Sequence, residues 1–256
     1  MTGKRLFIDT SKCQACKACQ AACQQWHNLE AEDTTFTGSY QNPSDVSGAN
    51  LTVVTFNEIE ADEKVKWLFF KDQCRHCETP PCLISCPRRA IIRQLNGMVR
   101  IDPVLCDPAA CAPGSGDGVA RPCQQACPYK HDGLGGVEGI PKWKYTKGGA
   151  VIKTKMRKCD FCFDRWKTKK LKTGKFVSTE LLPTGKPAIT SAICACAVTC
   201  PAGAITVGGA GKMLKLANQR VAALKANGNP NASIYPDGVS THVIWVLAED
   251  KSAYGL

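Results

Sequence analysis

The chain has 256 residues, 17 cysteines and a formal net charge of +11, from 33 Lys and Arg against 22 Asp and Glu. A cysteine content this high is unusual, and an odd number cannot pair completely into disulfides within one chain. Disulfide scaffolds belong mostly to short secreted chains, and many cysteines here stand too close in sequence to bridge one another. The composition therefore favours metal or cluster ligation over a disulfide framework.

Short elements are predicted around the first cysteine run. Residues 4–11 alternate apolar and polar positions well enough for a strand, and residues 17–26 have a composition compatible with a helix. Residues 34–50 are rich in Gly, Ser, Asn and Asp, which is typical of an exposed loop. The predicted order is thus strand, cysteines, helix and loop.

Two β-hairpins are predicted in the next part of the chain. The first pairs residues 51–60 with residues 64–70 around a polar turn. The second pairs residues 90–92 with residues 98–102, because Asn96-Gly97 between them is a strong turn signal. Each hairpin borders a cysteine-rich segment.

The second half of the chain alternates insertions with regular elements. Residues 112–122 are rich in Gly and Pro and predict a loop, and the lysine-rich residues 167–187 predict a solvated surface excursion. Strands are predicted at residues 204–207 and 241–250, and apolar residues at helical spacing predict a helix over residues 211–228. The recurring order of strand, cysteines and strand suggests an internal repeat whose period the insertions blur.

Sixteen of the 17 cysteines form four groups of four, and every group ends in C-x3-C. Proline follows the last cysteine of three groups. The groups are Cys13-x2-Cys16-x2-Cys19-x3-Cys23, Cys74-x2-Cys77-x4-Cys82-x3-Cys86, Cys106-x4-Cys111-x11-Cys123-x3-Cys127 and Cys159-x2-Cys162-x33-Cys196-x3-Cys200. The spacing follows the bacterial ferredoxin pattern C-x2-C-x2-C-x3-C-P, in which three thiolates hold one [4Fe–4S] cluster and the fourth holds another.

Zinc is the rival metal. Zinc sites built from four cysteines use paired C-x2-C knuckles across a longer spacer, and only part of this sequence fits that arrangement. Four repeats of C-x3-C, mostly followed by Pro, predict iron–sulfur ligation instead. Cys194 stands outside the spacing of the fourth group and is predicted not to be a ligand, whereas Cys196 keeps the x3 spacing to Cys200.

The basic charge has two explanations. A net charge of +11 can indicate a nucleic acid or an anionic surface as partner, but no nucleic-acid recognition motif accompanies it. A [4Fe–4S] core with four thiolates adds about −2, so four such sites would add about −8 and leave roughly +3. We therefore expect much of the basic excess to balance cofactors, and no nucleic acid among the partners.

Two arrangements of the cysteine groups are compatible with their spacing. The groups can pair in sequence order, or one ferredoxin-like unit can be inserted in the other. The short segment that joins the second and third groups favours these two as the inserted unit, with the first and fourth groups forming the other.

Four stretches of sequence point to one family. They are CQACKACQAACQQWHN, the hairpin LTVVTFNEIE with KWLFFKDQCRHCETPPCLISCP, KCDFCFDR, and the tail LANQRVAALKANG with ASIYPDGVSTHVIWVL. Together they resemble the β subunits of respiratory, molybdenum- or tungsten-dependent formate dehydrogenases over nearly the whole chain. The cysteine groups alone fit many iron–sulfur subunits of molybdopterin enzymes, so the hairpin and the tail are the narrower match.

The resemblance implies an α+β fold made of two pseudo-repeated ferredoxin-like units with loop insertions, one unit being inserted in the other. The first unit would comprise residues 1–70 and 150–210, and the inserted unit residues 71–149. Residues 211–256 would form a C-terminal extension of a helix and a strand.

The resemblance also implies four [4Fe–4S] clusters held by a nested set of cysteines. The sites would be site 1 (Cys13, Cys16, Cys19, Cys200), site 2 (Cys74, Cys77, Cys82, Cys127), site 3 (Cys86, Cys106, Cys111, Cys123) and site 4 (Cys23, Cys159, Cys162, Cys196). The chain departs from the family pattern in its third group, which is opened by eleven residues after Cys111, and in its fourth, which carries the basic insertion.

An electron-transfer subunit with no catalytic site of its own is the function that the resemblance implies. Electrons would come from a catalytic molybdenum or tungsten bis-pterin subunit that oxidises formate, and would pass to a cytochrome or a quinone-reducing membrane subunit. The first residues lack the apolar stretch of a secretory signal, and no segment reaches the roughly 20 apolar residues of a membrane span. The resemblance implies co-export with the catalytic subunit to the periplasm, the alternative being a cytoplasmic location.

Three other functions are compatible with the sequence. The chain could be the iron–sulfur subunit of another molybdopterin oxidoreductase, with electrons flowing in the opposite direction, or a free polyferredoxin carrier. A zinc-rich interaction module is the third, and it differs from the others in having no visible absorbance.

Several residues near the cysteines are candidates for tuning the clusters. Trp26 is expected to cover a cluster and keep water away, since solvent exposure affects cluster potentials. His27 and His76 are expected to donate hydrogen bonds to cluster sulfurs or to face a partner. The basic residues beside the cysteines would either raise cluster potentials by their charge or lie on the surface; they are Arg75, Arg88, Arg157 and Lys158.

Overall fold

The fold is a mixed α+β arrangement of short elements. The computed structural model describes residues 3–61, 64–112, 114, 116, 118–129, 138–166, 168–170, 176–181, 187–189 and 194–256, with the backbone alone for residues 61, 168–170, 176–181, 187–189 and 239. In chain order the elements are β1 (Lys4–Asp9), α1 (Ala18–Trp26), β2 (Val53–Ala61), β3 (Lys64–Asp72), α2 (Pro81–Ile84), β4 (Ile91–Arg93), β5 (Val99–Ile101), α3 (Pro122–Gln125), β6 (Lys142–Lys147), β7 (Ala150–Arg157), α4 (Phe163–Trp166), β8 (Thr168–Lys170), β9 (Phe176–Leu181), β10 (Pro187–Ile189), α5 (Ala195–Thr199), β11 (Ile205–Gly209), α6 (Ala210–Ala226), β12 (Ser233–Tyr235) and β13 (Val243–Leu247). Short 3₁₀ helices lie at Thr10–Lys12, Asp237–Val239 and Lys251–Tyr254.

A four-stranded sheet joins the two ends of the chain. Its order is β11-β1-β13-β12, with β1 antiparallel to β11 and parallel to β13. Leu6 of β1 stands opposite Val207 on one side and Val243 on the other. All five residues of β13 are buried, as expected for a strand that is covered on both faces.

The two faces of this sheet pack against different layers. On one face, Phe7 and Ile244 pack against α6 through its buried residues Met213 and Ala217. On the other face, the sheet contributes Leu6, Ile8 and Trp245 to the main core, which also contains cysteines and the base of the β2–β3 hairpin. Successive side chains of β1 point to opposite faces of the sheet, so Leu6 and Ile8 pack in one layer and Phe7 in the other. The cysteine-rich part of the chain is thereby held on the face away from α6.

The β2–β3 hairpin is buried at its base and exposed at its tip. Val53 pairs with Asp72 at the base, and the pairing continues to Ala61 and Lys64 at the tip. Val54 and Phe70 are buried, whereas Val65 and Trp67 are exposed. Gln20 of α1 accepts a hydrogen bond of 2.8 Å from the main-chain N–H of Val54, which attaches the first cysteine helix to the hairpin.

Most of the predicted elements are confirmed by the structure. The strands at β1, β11 and β13, the helices α1 and α6, the loop at residues 34–50 and both hairpins are present. The turn of the first hairpin includes residues 62–63, which lie outside the described residues. In α6 the predicted apolar positions Met213 and Leu224 are buried, but Leu216 is 38% exposed.

Two features of the second half are additional to the predicted elements. A hairpin of β6 and β7 is closed by Gly148 and Gly149, both with positive φ, in a two-residue turn. The basic insertion contains β8, β9 and the first residue of β10, and these three strands form an antiparallel sheet. The prediction of a solvated excursion concerns side chains that lie outside the described residues. In the described part of the chain, we find no helix with the length and apolar character needed to cross a bilayer.

Candidate iron–sulfur sites

Site 1 surrounds a small cavity between α1, the hairpin and the loop after α5. Cys13 and Cys16 lie in the loop before α1, Cys19 lies in its first turn, and Cys200 directly follows α5. All four cysteines line the cavity, together with apolar residues such as Ile8 and Val54. Burial raises the pKa of Cys13, and the charges of Cys200 and Cys16 raise it further.

Site 4 lies beside site 1, around a second small cavity. Cys23 comes from α1, Cys196 from α5, and Cys159 and Cys162 from the loop between β7 and α4. These four cysteines and Cys194 line the cavity with Leu6, Phe161 and other residues. The structure thus brings together residues of the first and fourth cysteine groups.

Site 3 surrounds a small cavity in the middle part of the chain. Cys106 and Cys111 lie in the loop after β5, Cys123 lies in α3, and Cys86 lies two residues after α2. All four line the cavity, so the eleven-residue spacer does not separate Cys111 from the other three. Burial raises the pKa of Cys123 to about 12, with further contributions from the neighbouring cysteines.

Site 2 is assembled from the loop after β3 and from the two short helices. Burial raises the pKa of Cys82 to about 12, and the charges of Cys74, Cys127 and Cys77 add to that rise. Burial also raises the pKa of Cys77 to about 11, and Cys74 and Cys127 again contribute. Cys74 also packs against the buried cluster that contains Cys127, so residues from both ends of this part of the chain meet at site 2.

The four sites follow one another as a series, in the order 1, 4, 2 and 3. Sites 1 and 4 meet where Cys19 of α1 approaches Cys196 of α5, two helices that contact each other. Sites 2 and 3 meet in the same way where Cys82 of α2 approaches Cys123 of α3. Lys158 lies between sites 4 and 2. The negative charges of Cys159 in site 4 and of Cys74 and Cys82 in site 2 raise its pKa.

A left-handed residue recurs inside the C-x2-C loops. Ala15, His76 and Phe161 each stand directly before the second cysteine of such a loop, with φ of 51°, 52° and 66°. This conformation costs an L-residue about 1–2 kcal/mol, so it persists only where the surrounding structure imposes it. The shared conformation turns successive thiols toward a common centre in three of the four groups.

The buried thiols are suited to binding a cationic cofactor. Burial raises the pKa of Cys19 to about 12, as it does for Cys82 and Cys123, so without a metal these thiols would stay protonated at neutral pH. A bound metal reverses this preference, because a coordinating thiol is deprotonated outright. Four convergent sulfur donors in apolar surroundings are the ligand set of iron–sulfur clusters.

Unpaired polar groups at site 4 also fit such a cofactor. Gln73 is fully buried and lines the cavity, and its side-chain Nε2 has no hydrogen-bond partner in the described residues. Its Oε1 accepts a hydrogen bond from the ammonium group of Lys71. A buried amide donor without a protein acceptor is costly, and a sulfur of a cluster would accept its hydrogen bond.

The structure clarifies the roles of the aromatic pair after Cys23. Trp26 packs against the main core and donates a hydrogen bond of 3.0 Å to Asp164, while Arg165 lies 4.1 Å from its ring centroid. His27 lines the cavity of site 4 and pairs with Asp160 at 3.3 Å. Burial alone would lower the pKa of His27, but Asp160, Cys162 and Cys23 raise it well above its usual value.

The flanking basic residues divide into buried and accessible ones. Arg75 and Lys158 are 2% and 4% exposed, so neither is a surface residue. Arg75 pairs with Asp72 and lies among four aromatic rings, with Tyr129 nearest at 4.7 Å. Arg88 is exposed and Arg157 is half-buried, where it donates to the carbonyl oxygen of Gly48.

Cys194 is a fifth buried thiol at site 4. Its Sγ lies 3.4 Å from the carbonyl oxygen of Phe161 and also interacts with the thiols of Cys162 and Cys196. The hydrogen bond from Cys194 lowers the pKa of Cys162 to about 6. Cys194 thus places its single S–H beside the sulfur atoms of Cys162 and Cys196 and 3.4 Å from a carbonyl oxygen, an arrangement that the sequence spacing did not reveal.

Comparisons with known proteins agree with this site chemistry. Residues 65–186 match the family model of the 4Fe-4S dicluster domain. The chain is 37% identical to the nitrate-inducible formate dehydrogenase iron–sulfur subunit of Escherichia coli, over 94% of this chain and 67% of that one. It is 35% identical to the formate dehydrogenase 2 subunit beta (cytochrome c-553) of Nitratidesulfovibrio vulgaris, over 98% of this chain and 96% of that one.

A more distant relative is a subunit of the anaerobic dimethyl sulfoxide reductase of E. coli. It is 30% identical over 62% of this chain and 61% of its own length. The formate dehydrogenase subunits match more of the chain at higher identity, and the 4Fe-4S family model covers the second and third cysteine groups. On this sequence similarity and on its 4Fe-4S domain, the chain belongs to the family of formate dehydrogenase iron–sulfur subunits, which transfer electrons.

Proposed function

We propose that this chain relays electrons inside a formate dehydrogenase complex, from a catalytic molybdenum or tungsten bis-pterin subunit to a cytochrome or quinone-reducing partner. The observation that carries the proposal is the unbroken series of four cysteine quartets, in which each site adjoins the next. A relay requires such neighbouring sites, whereas a storage or purely structural role does not.

All four sites hold [4Fe–4S] clusters in this proposal, and their ligands are the sixteen cysteines of sites 1 to 4. Each cluster when bound accepts and releases one electron at a time. The chain supplies the thiolates, the apolar walls that limit water, and the buried hydrogen-bond donors around the sulfur atoms. The cavities of sites 1, 3 and 4 are each lined by their four cysteines, and this common donor set supports the same cofactor at each.

The two ferredoxin-like units are nested in this proposal. Residues 1–70 and 150–210 form one unit and residues 71–149 the other, with residues 211–256 as an extension. The contacts of α1 with α5, and of α2 with α3, support a repeat in which each unit pairs two cysteine-bearing helices. The extension shares its sheet with the first unit, since β13 lies directly beside β1.

No catalytic site is assigned to the chain itself, and formate oxidation belongs to its partner. The test is anaerobic purification of the native complex, followed by addition of formate and observation of the broad visible absorbance of the clusters. Bleaching by formate supports the relay. A brown complex that dithionite bleaches and formate does not would overturn the formate assignment, and a colourless protein without iron would overturn the clusters.

A second candidate is the iron–sulfur subunit of an S-oxide reductase. The match to the dimethyl sulfoxide reductase subunit favours it. Electrons would then flow toward the catalytic subunit. Reduced complex that is reoxidised by dimethyl sulfoxide, and is not reduced by formate, would select this candidate over the first.

We further propose that the chain works in the periplasm after export with its catalytic partner, with the cytoplasm as the alternative. The family resemblance supports this location. Fractionation of cells that carry or lack an export signal on the partner tests it: the chain should follow the partner into the periplasm. A chain that stays in the cytoplasm beside an exported partner would contradict the proposal.

A further inference from the structure

Two lysines are buried between neighbouring cysteine sites. Lys71 is 2% exposed and Lys158 is 4% exposed, although lysine is almost never buried without a partner of opposite charge. Among the described residues, no carboxylate lies within 4.0 Å of either ammonium group. Asp160 adds a more distant negative charge beside Lys158, but the larger negative charges that act on both lysines are those of cysteines in the adjoining sites.

Lys71 lies on one side of site 4, between that site and site 1. Its side chain lines both the cavity of site 1 and the cavity of site 4. The ammonium group donates a hydrogen bond of 2.9 Å to the hydroxyl of Thr52 and another to the amide oxygen of Gln73. Both acceptors are neutral, so they orient the ammonium group without balancing its charge.

Lys158 occupies the corresponding position on the other side of site 4. It precedes Cys159, and its ammonium group donates to the carbonyl oxygens of Val99 and Cys159, at 3.0 Å for the latter. Val99 belongs to the same buried cluster as Cys82 of site 2. Lys158 is thus held between site 4 and site 2, again by neutral acceptors.

The charges on both sides explain why these lysines can be buried. A [4Fe–4S] cluster with four thiolates carries about −2 and gains another negative charge on reduction. A fixed positive charge in a low-dielectric interior stabilises the reduced form more than the oxidised form, which raises the reduction potential. Site 4 borders both lysines, whereas sites 1 and 2 border one each.

We propose that Lys71 and Lys158 bracket the cluster of site 4 and raise its reduction potential, each being shared with one further cluster. The proposal rests on the proposed function, since it requires clusters at these sites. Both lysines are positioning residues for charge and take no part in ligation. In consequence, site 4 is the site whose reduced form both lysines stabilise, whereas sites 1 and 2 each gain from one lysine.

The experiment is a redox titration of the anaerobically purified complex, followed by electron paramagnetic resonance of the reduced clusters. The signal of each site is assigned from the variant that loses it, such as Cys13→Ala for site 1. The charge-removing variants are Lys71→Met and Lys158→Met. Lys66→Met is the matched control, because Lys66 lies on the same strand as Lys71 but is exposed and paired with Glu249.

In Lys71→Met we expect the ratio of reduced to oxidised cluster at a fixed ambient potential to fall at least tenfold at sites 1 and 4. For a one-electron couple this is a shift of about 59 mV. Lys158→Met should produce the same shift at sites 2 and 4. Lys66→Met should leave all four sites unchanged, and Lys71→Arg, which keeps the charge, should retain the parent values.

Unchanged potentials at sites 1 and 4 in Lys71→Met, at full iron content, would overturn the proposal. An equal shift at all four sites would also overturn it, since that would indicate a general structural change. If either Met variant binds less iron than the parent, the Lys→Gln variant at the same position provides the comparison, because its amide keeps a hydrogen-bond donor. A parent protein without iron would instead contradict the proposed function.

Discussion

The indole Nε1 of Trp245 donates a hydrogen bond of 3.1 Å to the main-chain oxygen of Lys71. The two residues are 174 positions apart in sequence, Trp245 on β13 and Lys71 at the buried end of β3. The indole also stacks on Phe70, with 5.0 Å between ring centroids. The C-terminal strand therefore fixes the backbone of the residue that lies between sites 1 and 4.

Replacing Trp245 by Phe removes this donor while keeping an aromatic ring in the core. We expect Trp245→Phe to lower the free energy of unfolding by about 1–3 kcal/mol, because the buried carbonyl of Lys71 loses its partner. Anaerobic thermal unfolding of the cluster-loaded protein measures the change. Trp67→Phe, on the exposed part of the same hairpin, is the control and should change stability by less than about 0.5 kcal/mol. Equal effects of the two substitutions would contradict the role of the hydrogen bond.

The two neighbouring thiols Cys194 and Cys196 should differ in their effect on iron content. Cys196→Ala removes a proposed ligand of site 4 and should lower bound iron by about a quarter, since one of four clusters is lost. Cys194→Ala removes a hydrogen-bond donor and should leave the iron content at the parent value. Iron and sulfide analysis of both variants measures this directly. Loss of iron in Cys194→Ala alone would reverse the assignment of these two residues.

Gly139 is required for the packing around Cys127 of site 2. A Cβ at Gly139 would lie 2.2 Å from the Cβ of Cys127 and 2.8 Å from the carbonyl oxygen of Gln124. We expect Gly139→Ala to displace Cys127 and to reduce the iron bound at site 2, with loss of that cluster's resonance signal. At Gly116 a Cβ would meet nothing within 4 Å, so Gly116→Ala should retain all signals. An intact site 2 in Gly139→Ala would show that the loop can shift without cost to the site.

The ion pair of Arg75 and Asp72 is buried between the hairpin and the C-terminal strands. Both side chains are at most 2% exposed, and the guanidinium lies over the rings of Tyr129 and Trp245. Arg75→Met leaves the carboxylate of Asp72 without this partner and should destabilise the protein by about 3–5 kcal/mol.

The matched control for this ion pair is Arg93→Met. Arg93 pairs with Glu78 at 3.1 Å, but both side chains are about one-third exposed. Exposed pairs contribute about 0–1 kcal/mol, so this variant should remain close to the parent in a chemical denaturation experiment. A smaller effect at Arg75 than at Arg93 would show that solvent reaches the buried pair.

The sequence alone was sufficient to predict iron–sulfur ligation. C-x3-C repeats followed by Pro indicate iron–sulfur ligation because such clusters need several thiolates from one short stretch of chain. Local patterns also predicted β1, α1, both early hairpins and α6, since period and turn residues are local properties. The β6–β7 hairpin could also have been predicted, because Gly148-Gly149 is a dipeptide that favours a two-residue hairpin turn with positive φ.

Other features depend on contacts between distant parts of the chain. Only the tertiary structure decided that β13 lies beside β1, because strand order is set by packing across both faces of the sheet. The tertiary structure also shows that Lys71 and Lys158 are buried. From the residue type alone, lysine is expected to be exposed. Their charge becomes acceptable only where separate cysteine groups converge around them. The cysteine spacing that predicts cluster ligation is thus a local property of the sequence, whereas the convergence of separate cysteine groups and the electrostatic surroundings of each site are properties of the fold.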